Sequence, residues 1–443
     1  MAKRLLPNFE LLFFCFFALL VLSGFSPKKK QGIVARIEFA SKNGIYKGKP
    51  IEVFYHVQNT SNKTLYLSIK GNFVNMTGVF LQNISESISV APKSSKSLGF
   101  SYQPTKEGFY KIHLKVLSGK ATLAQQSLVA GYQIEKLRVP LTQPADFDTF
   151  WLKTLKELAQ ISPNFKVTKK DELCTKTYNM YAVEMQSLDN MTIRGWYRVP
   201  KWKKNVPVVL QVPPLGGSFQ NPKSLEEQPL YGVPYDFAVF SLNIRGHGNS
   251  KDVIRMPNSF AYITHNIHDK HKYVYRGAVA DCIRALDFIS QRPEIDQNRI
   301  AIEGVSQGGG LSLIVAALDK RLKVCAVDVP FLSDFDNLTK HTDWVKNEIN
   351  KYVRKHKNTT YPKALQHLRY FDTKNFAPKI QIPVLMSSGL QDRTCPPSTN
   401  FATFNHINSK FKEYCLYPYG RHGGGGETHR KLKFNWIRNW FGM

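Results

Sequence analysis

A serine in a glycine-rich turn is the first group in this 443-residue chain whose surroundings favour chemistry. Residues 304–308 read Gly-Val-Ser-Gln-Gly and fit the pattern G-x-S-x-G around Ser306. Between a strand and a helix, such a turn exposes the serine hydroxyl, and its glycines permit the tight bend. An apolar run precedes the turn at residues 299–305, and a helical pattern follows at 311–318. The sequence therefore predicts a nucleophile at Ser306 rather than a serine that only caps a helix.

A serine hydroxyl is a weak nucleophile near neutral pH, so it needs a base and a carboxylate that orients the base. Asp392 follows the apolar run 383–390, and His422 follows the next run, at 414–417. Both residues therefore fall in loops just after strands, where an α/β sheet places its functional groups. The chain order Ser, Asp, His is the one found with such serine turns. These positions predict a triad of Ser306, Asp392 and His422.

Other acids and histidines are weaker candidates for the triad. Asp328 lies near the end of an earlier strand and is interpreted as a structural carboxylate, and His429 opens the last helix, a position that is more often structural. Several histidines precede the serine and would break the chain order: His247, His265, His268 and His271. The last three do not show metal-ligand spacing on a helix, and we expect them in a solvent-exposed loop.

The charge that develops on an acyl oxygen requires an oxyanion hole. One donor is expected to be the backbone N–H of Gln307, the residue after the nucleophile, and the other to come from the loop at 213–217. The sequence contains no G-x-x-x-x-G-K-[ST], G-x-G-x-x-G or H-E-x-x-H motif that would favour a different chemistry. The six cysteines are widely spaced without a C-x-x-C pair, so they predict neither a disulfide framework nor a zinc site.

The elements that must position these residues begin at about residue 140. Largely apolar runs at 208–212, 237–242 and 324–329 are typical of buried strands, and apolar residues over 278–289 recur at helical spacing. Apolar strands separated by helices indicate a mostly parallel sheet that is covered by helices on both faces. Together with the serine turn, this pattern predicts an α/β-hydrolase fold for a catalytic domain at residues 140–443.

Residues 31–136 follow a different pattern. Apolar side chains alternate over residues 51–57 and 112–116, which places each set on one face of a strand. Several short strands separated by turn residues predict an all-β sandwich of immunoglobulin-like type. His56 and His113 lie on the polar faces of these strands, so we expect them to be exposed and without a catalytic role.

The first 26 residues have the layout of a secretory signal peptide. Lys3 and Arg4 provide a basic start, an apolar run covers residues 11–22, and Ser23-Gly24 provides small residues. The run is shorter than the roughly 20 residues that a membrane-spanning helix needs. A membrane anchor is therefore the weaker alternative, and the sequence predicts a secreted or periplasmic protein with a cleaved leader at residues 1–26.

The chain carries 61 Lys and Arg against 33 Asp and Glu, a formal net charge of +28. A strong positive field attracts polyanions. For a secreted protein this favours contact with an acidic polysaccharide or an anionic cell surface, although the same lysines could serve solubility alone. No compact basic run is interleaved with aromatic residues, so a nucleic-acid partner is not expected.

Several short stretches occur in the order typical of one known family. They are Arg-Gly-His-Gly at 245–248, Tyr-Arg-Gly at 275–277, Gly-Val-Ser-Gln-Gly-Gly at 304–309, and Gly-Leu-Gln-Asp at 389–392 ahead of Pro-Pro-Ser at 396–398. On these motifs, residues 140–443 resemble the acetyl xylan esterase and cephalosporin-C deacetylase family, carbohydrate esterase family seven. The predicted β-sandwich lies outside the resemblance.

The resemblance implies an esterase that removes acetyl groups from acetylated xylan, xylo-oligosaccharides or similar small acetyl esters without a cofactor. By position, Ser306, Asp392 and His422 match the family triad, and the N–H groups of Gln307 and Leu215 match its oxyanion donors. Members that consist of the catalytic domain alone often form doughnut-shaped hexamers, so a homo-oligomer is also an expectation from the resemblance.

The chain departs from the family at three places. Pro-Pro-Leu at 213–215 replaces a His-Gly-Tyr motif, His247 replaces a glutamine, and Arg-His-Gly at 421–423 replaces Gly-His-Glu. These changes bear on substrate choice more than on the type of reaction.

One alternative function is a carboxylesterase or other serine hydrolase of the same fold with a different acyl or alcohol preference, its acyl pocket shaped by residues 331–379. Another is a carbohydrate-binding protein with an inactive hydrolase domain.

Overall fold

The computed structural model describes residues 32–219 and 233–443, so the predicted leader lies outside the described residues. The chain begins with the strands β1 (Ile33–Phe39), β2 (Ile45–Tyr46), β3 (Ile51–Asn59), β4 (Leu65–Asn75), β5 (Phe80–Val90), β6 (Ser95–Tyr102), β7 (Gly108–Ser118) and β8 (Ala121–Tyr132). Within the described residues they form two sheets, one ordered β1-β3-β6 and the other β2-β8-β7-β4-β5. We call this part of the chain the β-unit.

The two sheets of the β-unit share one hydrophobic core. The period-two pattern is confirmed in β3, where Ile51, Val53, Tyr55 and Val57 are fully buried and alternate with more exposed side chains. Side chains of β4 and β7 from the other sheet pack into the same cluster. Burying one large apolar side chain contributes about 1.5–3 kcal/mol, so this shared core stabilises the packing of the two sheets against each other.

The second part of the chain contains a mixed sheet. Its strands are β9 (Lys166–Lys169), β10 (Tyr178–Gln186), β11 (Thr192–Pro200), β12 (Val206–Val212), β13 (Ala238–Asn243), β14 (Ile295–Val305), β15 (Val324–Asp328), β16 (Val384–Gly389) and β17 (Lys412–Tyr417). Their order in the sheet is β17-β16-β15-β14-β12-β13-β11-β10-β9. The strands from β12 onward pair in parallel, and β9 to β11 add an antiparallel edge. This arrangement fits an α/β-hydrolase fold.

Helices cover both faces of this sheet. They are α1 (Phe147–Ala159), α2 (Val274–Ser290), α3 (Gln307–Leu318), α4 (Phe335–His341), α5 (Asp343–Lys355), α6 (Tyr361–Leu368), α7 (Thr373–Phe376), α8 (Pro397–Phe404) and α9 (Gly426–Trp440). Val208 and Leu210 of β12 pack with α1, α2 and α3, whereas the intervening Val209 packs with α9 on the opposite face. Across residues 32–219 and 233–443, no helix is long and apolar enough to cross a membrane.

Two helices begin earlier than their apolar patterns predict. Helix α3 begins at Gln307 instead of residue 311, and α9 begins at Gly426, three residues before the His429 that was expected to open it. The first turn of α3 is rich in glycine, which is a poor helix former, so propensity alone places its start too late. We attribute the earlier starts to tertiary contacts. In α3 the earlier start places the first residue of the helix next to Ser306.

The β-unit packs against the catalytic part close to Asp392. The side-chain amide of Gln391 accepts a hydrogen bond from the N–H of Val129 at 2.8 Å and donates to the carbonyl of Pro418 at 2.8 Å. The ring of Phe109 lies 5.6 Å from that of Phe401, and the latter belongs to the core of the β-unit. Strand β8 is therefore tied to the loop that holds Asp392.

Candidate active site

The turn between β14 and α3 holds Ser306 in a strained backbone conformation. Its φ is 55° and its ψ is −116°, a combination that a residue with a side chain adopts only when the surroundings impose it. The N–H of Ser306 donates to the carbonyl of Asp328 at 2.9 Å, and its own carbonyl accepts from the N–H of Phe331 at 2.8 Å. A Cβ on Gly308 would lie 2.1 Å from the carbonyl oxygen of Val212, so the close approach requires glycine. These contacts fix the serine hydroxyl at the end of the sheet.

The structure brings Ser306, His422 and Asp392 together. Nε2 of His422 lies 3.1 Å from Oγ of Ser306, and its Nδ1 lies 2.8 Å from Oδ2 of Asp392. The other carboxylate oxygen of Asp392 accepts hydrogen bonds from the N–H groups of Thr394 at 2.8 Å and Cys395 at 3.0 Å. Because the carboxylate can only accept, Nδ1 carries the proton and Nε2 is free to take the serine proton. Burial raises the pKa of the neighbouring Cys395 thiol, which therefore stays protonated.

The two predicted oxyanion donors lie on either side of the serine. Gln307 is the first residue of α3, so its N–H has no acceptor within the helix. Leu215 lies in a turn that is closed by a hydrogen bond of 2.9 Å from the N–H of Gly217 to the carbonyl of Pro214. Leu215 and Ser306 line the same cavity. The arrangement suits stabilisation of a negative acyl oxygen between two backbone donors.

A buried histidine links the two sides of this oxyanion site. Nε2 of His247 lies 3.1 Å from the side-chain nitrogen of Gln307 and accepts from the N–H of Gly216 at 3.4 Å. Its Nδ1 lies 3.3 Å from the carbonyl of Arg245, and the hydroxyl of Tyr275 donates to the side-chain oxygen of Gln307 at 2.8 Å. Burial lowers the pKa of His247 to about 4, so the ring is neutral at pH 7. A neutral ring with its proton on Nδ1 can accept both hydrogen bonds at Nε2.

A pocket of about 400 Å³ opens in front of Ser306. Phe260, Phe331 and Trp344 form an aromatic wall, with ring centroids 5.1 Å apart for Phe331 and Trp344. The indole N–H of Trp344 donates to the carbonyl of Thr394 at 2.9 Å, which fixes the wall to the loop that carries the triad carboxylate. Phe331 and Trp344 both come from the segment 331–379 that the sequence analysis associated with the pocket.

Asp328 and His429 lie together on another side of the pocket. Nε2 of His429 is 2.8 Å from Oδ1 of Asp328, and Nζ of Lys433 donates to Asp328 and to Glu303, each at 2.7 Å. Burial alone would raise the pKa of Asp328, but the neighbouring Lys433 and His429 lower it well below its ordinary value. This buried ion network agrees with a structural interpretation of both residues.

Two of the histidines that were expected to be exposed, His268 and His113, are partly buried, whereas His271 is exposed as expected. Nδ1 of His268 lies 2.6 Å from the hydroxyl of Tyr352, and its ring stacks on that tyrosine instead of lying in an open loop. His113 is half-buried and lies 2.7 Å from the hydroxyl of Ser127, because a neighbouring part of the molecule covers this face of β7. Within the described part of the chain, no group of three or more His, Cys, Asp or Glu side chains is placed to hold a metal ion.

A serine, an imidazole and a carboxylate joined in this order, on loops that follow parallel strands, define a serine hydrolase of the α/β class. Residues 129–440 match the family described as acetyl xylan esterase. The acetyl esterase Axe7A of Xylanibacter ruminicola is 29% identical over 336 residues, which is 73% of each chain. The chain belongs to the acetyl xylan esterase family, and it is a serine carboxylic-ester hydrolase.

Two solved structures share this fold with the catalytic part of the chain. The acetyl xylan esterase from Paenibacillus sp. R4 is 32% identical with a TM-score of 0.61, and the match covers 69% of this chain and 98% of that one. Acetyl xylan esterase 1 from Thermoanaerobacterium sp. JW/SL YS485 is 25% identical with a TM-score of 0.61, and the match covers 70% of this chain and 98% of that one. Almost the whole of each neighbour therefore corresponds to a part of this protein.

Proposed function

We propose that the protein is a secreted esterase that removes acetyl groups from acetylated xylan, xylo-oligosaccharides or similar small acetyl esters through an acyl-enzyme on Ser306. The observation that carries the proposal is the continuous chain of hydrogen-bond distances from Ser306 through His422 to Asp392, at 3.1 and 2.8 Å, in a member of this family. An acetylated carbohydrate is therefore the proposed substrate.

In the first half of the reaction, Nε2 of His422 accepts the proton of the Ser306 hydroxyl while Oγ attacks the acetyl carbonyl carbon. The negative charge that develops on the carbonyl oxygen is stabilised by the N–H groups of Gln307 and Leu215. His422 then donates its proton to the departing sugar oxygen, which leaves as a neutral alcohol. The acetyl group remains on Ser306, and Asp392 stays ionised throughout.

In the second half, water replaces the sugar. His422 accepts a proton from the water while the water oxygen attacks the carbonyl carbon of the acetyl-serine. The same two N–H groups stabilise the oxyanion. Collapse of the intermediate breaks the bond to Oγ, and His422 returns the proton to Ser306. Acetate then leaves the site. Every proton in the two steps passes through His422, and no atom changes its oxidation state.

The proposal extends to the arrangement of the whole chain. We infer an immunoglobulin-like domain over residues 31–136, a catalytic domain over 140–443, and export of the protein by a leader at 1–26 to a secreted or periplasmic location. The two packed sheets of the β-unit support the first of these inferences. Self-association into a homo-oligomer is a further expectation, which the sedimentation of the purified protein would test.

Acetate release from a panel of substrates tests the proposed activity. The panel contains acetylated xylan, xylose tetraacetate, cephalosporin C and an aryl acetate, and each reaction is stopped early for intact-protein mass spectrometry. We expect acetate from the carbohydrate esters and a mass increase of one acetyl group that peptide mapping places on Ser306. Hydrolysis of the aryl acetate without release from any carbohydrate ester would favour the general carboxylesterase alternative instead.

A further inference from the structure

A second cavity, of about 760 Å³, lies between the β-unit and the catalytic part, and we call it the basic cleft. Strands β7 and β8 form one wall, and the loops after β16 and β17 form the other, together with the junction of α4 and α5. Its lining includes the basic or hydrogen-bonding residues Lys111, His113, Ser127, His341, Arg393 and Arg421. The basic cleft shares Thr394 and His422 with the pocket at Ser306. The two cavities therefore adjoin at His422.

Two cations line opposite walls of the cleft. Lys111 projects from β7 and Arg393 from the loop after β16, and neither forms an ion pair with any residue of the described ranges. Burial and, to a smaller extent, the nearby positive charge of Arg393 lower the pKa of Lys111. Lys111 is half-buried and Arg393 is exposed at the rim, and an anion bound between these two positive charges would relieve the repulsion between them.

The acids of the basic cleft do not remove this excess of positive charge. Among its described lining residues the acids are Asp343 and Asp392. Asp392 already accepts hydrogen bonds from His422 and from two backbone N–H groups, and Asp343 is exposed at the start of α5. Burial lowers the pKa of His341 to about 4, so this side chain is a neutral hydrogen-bonding group at pH 7.

We propose that the basic cleft binds a carboxylate on the same glycan that presents its acetyl ester to Ser306, so that the enzyme favours acetylated glycans that carry uronate units. This inference rests on the proposed function and names its substrate class. Lysine and arginine donors form short, strong hydrogen bonds with carboxylates, and the cleft volume lies within the range of about 300–1,000 Å³ that small-molecule sites occupy. A recess of this kind admits a sugar unit.

The test compares two fractions of one acetylated xylo-oligosaccharide preparation, separated by anion exchange into neutral and uronate-bearing chains of equal length. The measured quantity is the ratio of kcat/KM for uronate-bearing chains to kcat/KM for neutral chains. We expect a ratio of about ten in the wild-type enzyme, the effect of one or two hydrogen bonds to a charged group. The ratio should fall as salt is raised, because mobile ions screen the attraction.

Matched variants locate the effect. Lys111→Gln should bring the ratio close to one, whereas Lys111→Arg, which keeps the charge, should preserve most of it. Lys115→Gln removes the same charge from an exposed position on the same strand outside the cleft, and it should leave the ratio unchanged. Thermal unfolding of each variant shows whether the fold is retained, and Arg393→Gln provides a second probe if Lys111→Gln does not fold.

The outcomes separate this inference from the proposed function. If neither fraction releases acetate, the proposed function fails. If both fractions are hydrolysed with equal kcat/KM in the wild-type enzyme, the proposed function stands and the carboxylate site is overturned. A ratio that falls equally in Lys111→Gln and Lys115→Gln would also overturn the site, since it would assign the preference to the net charge of the protein.

Discussion

The cavity at Ser306 has an aromatic wall of Phe260, Phe331 and Trp344, and its cation Lys433 is neutralised by ion pairs with Asp328 and Glu303. The basic cleft on the other side of His422 presents Lys111 and Arg393, which form no ion pair within the described residues. The first suits an uncharged acetyl group and the apolar face of a sugar ring. The second presents donors and positive charge to whatever extends beyond the ester. The same imidazole borders both cavities, so the reacting bond lies at the boundary between an aromatic and a cationic environment.

The two cavities also differ in where their residues lie along the chain. All the residues that line the pocket at Ser306 fall within the family match at 129–440. The basic cleft takes Lys111, His113 and Ser127 from strands that precede or only overlap the start of that match. The family therefore accounts for the reaction, and the β-unit adds one wall of a site that family membership alone does not describe. Acyl preference and glycan preference should then be separable by mutation.

The largest expected effect comes from removal of the nucleophile. Ser306→Ala removes the nucleophile, and we expect acetate release from neutral and uronate-bearing substrates to fall alike, by at least about 10⁴-fold. Binding of a uronate-bearing oligosaccharide, followed by calorimetry, should persist because the mutation leaves both cavities lined as before. Retained turnover of either substrate class would mean that a nucleophile other than Ser306 hydrolyses that class.

Acyl length tests the aromatic pocket alone. Each added methylene must be accommodated against packed side chains, and overpacking costs about 1–3 kcal/mol. At about 1.4 kcal/mol per factor of ten, kcat/KM should fall roughly ten- to a hundredfold from acetate to butyrate esters of one neutral alcohol. Trp344→Ala, which opens the wall, should shrink this difference. A butyrate ester that is hydrolysed faster than the acetate would establish the carboxylesterase alternative in place of the deacetylase.

Mutation of His247 should have a smaller effect on catalysis, mainly through the stability of the transition state. In His247→Ala, the side chain of Gln307 and the N–H of Gly216 both lose their acceptor, so the turn that carries Leu215 is less well fixed. We expect kcat to fall about tenfold with little change in KM, because oxyanion donors act mainly on the transition state. His247→Gln supplies a carbonyl oxygen in place of Nε2 and should restore most of the activity. Equal losses in the two variants would indicate a packing role only.

Local patterns in the sequence were sufficient to predict the α/β fold and the three residues that meet at Ser306. Ser306, Asp392 and His422 each follow a recognisable strand, and parallel strands bring such loops to one edge of a sheet. The basic cleft could not be predicted in this way. His113 lies on a polar strand face that looks solvent-exposed in sequence, and only the docking of β8 through Gln391 shows that another surface covers it. Contacts between distant segments carry no periodic signal.

Two histidines with lowered pKa values also bear on stability at low pH, one beside the oxyanion turn and one in the basic cleft. Burial lowers the pKa of His247 beside the oxyanion turn to about 4, and that of His341 in the basic cleft to about 4, from an ordinary value near 6.5. As pH falls from 6.5 towards 4, the unfolded chain binds protons at these positions that the folded chain does not. The free energy of unfolding must therefore decrease through this window and be fully retained above it.

Replacement of either histidine should remove its share of this pH dependence. At about 1.4 kcal/mol per pKa unit, one histidine with this shift reduces stability by roughly 2 kcal/mol between pH 7.5 and pH 5. Urea unfolding of the wild type, His247→Gln and His341→Gln at both pH values measures the difference directly. Each variant should lose about 2 kcal/mol less than the wild type on acidification, whatever its stability at pH 7.5. A variant that loses as much as the wild type would show that its histidine is protonated in the folded protein, and for His247 this would rule out Nε2 as the acceptor that holds the oxyanion turn.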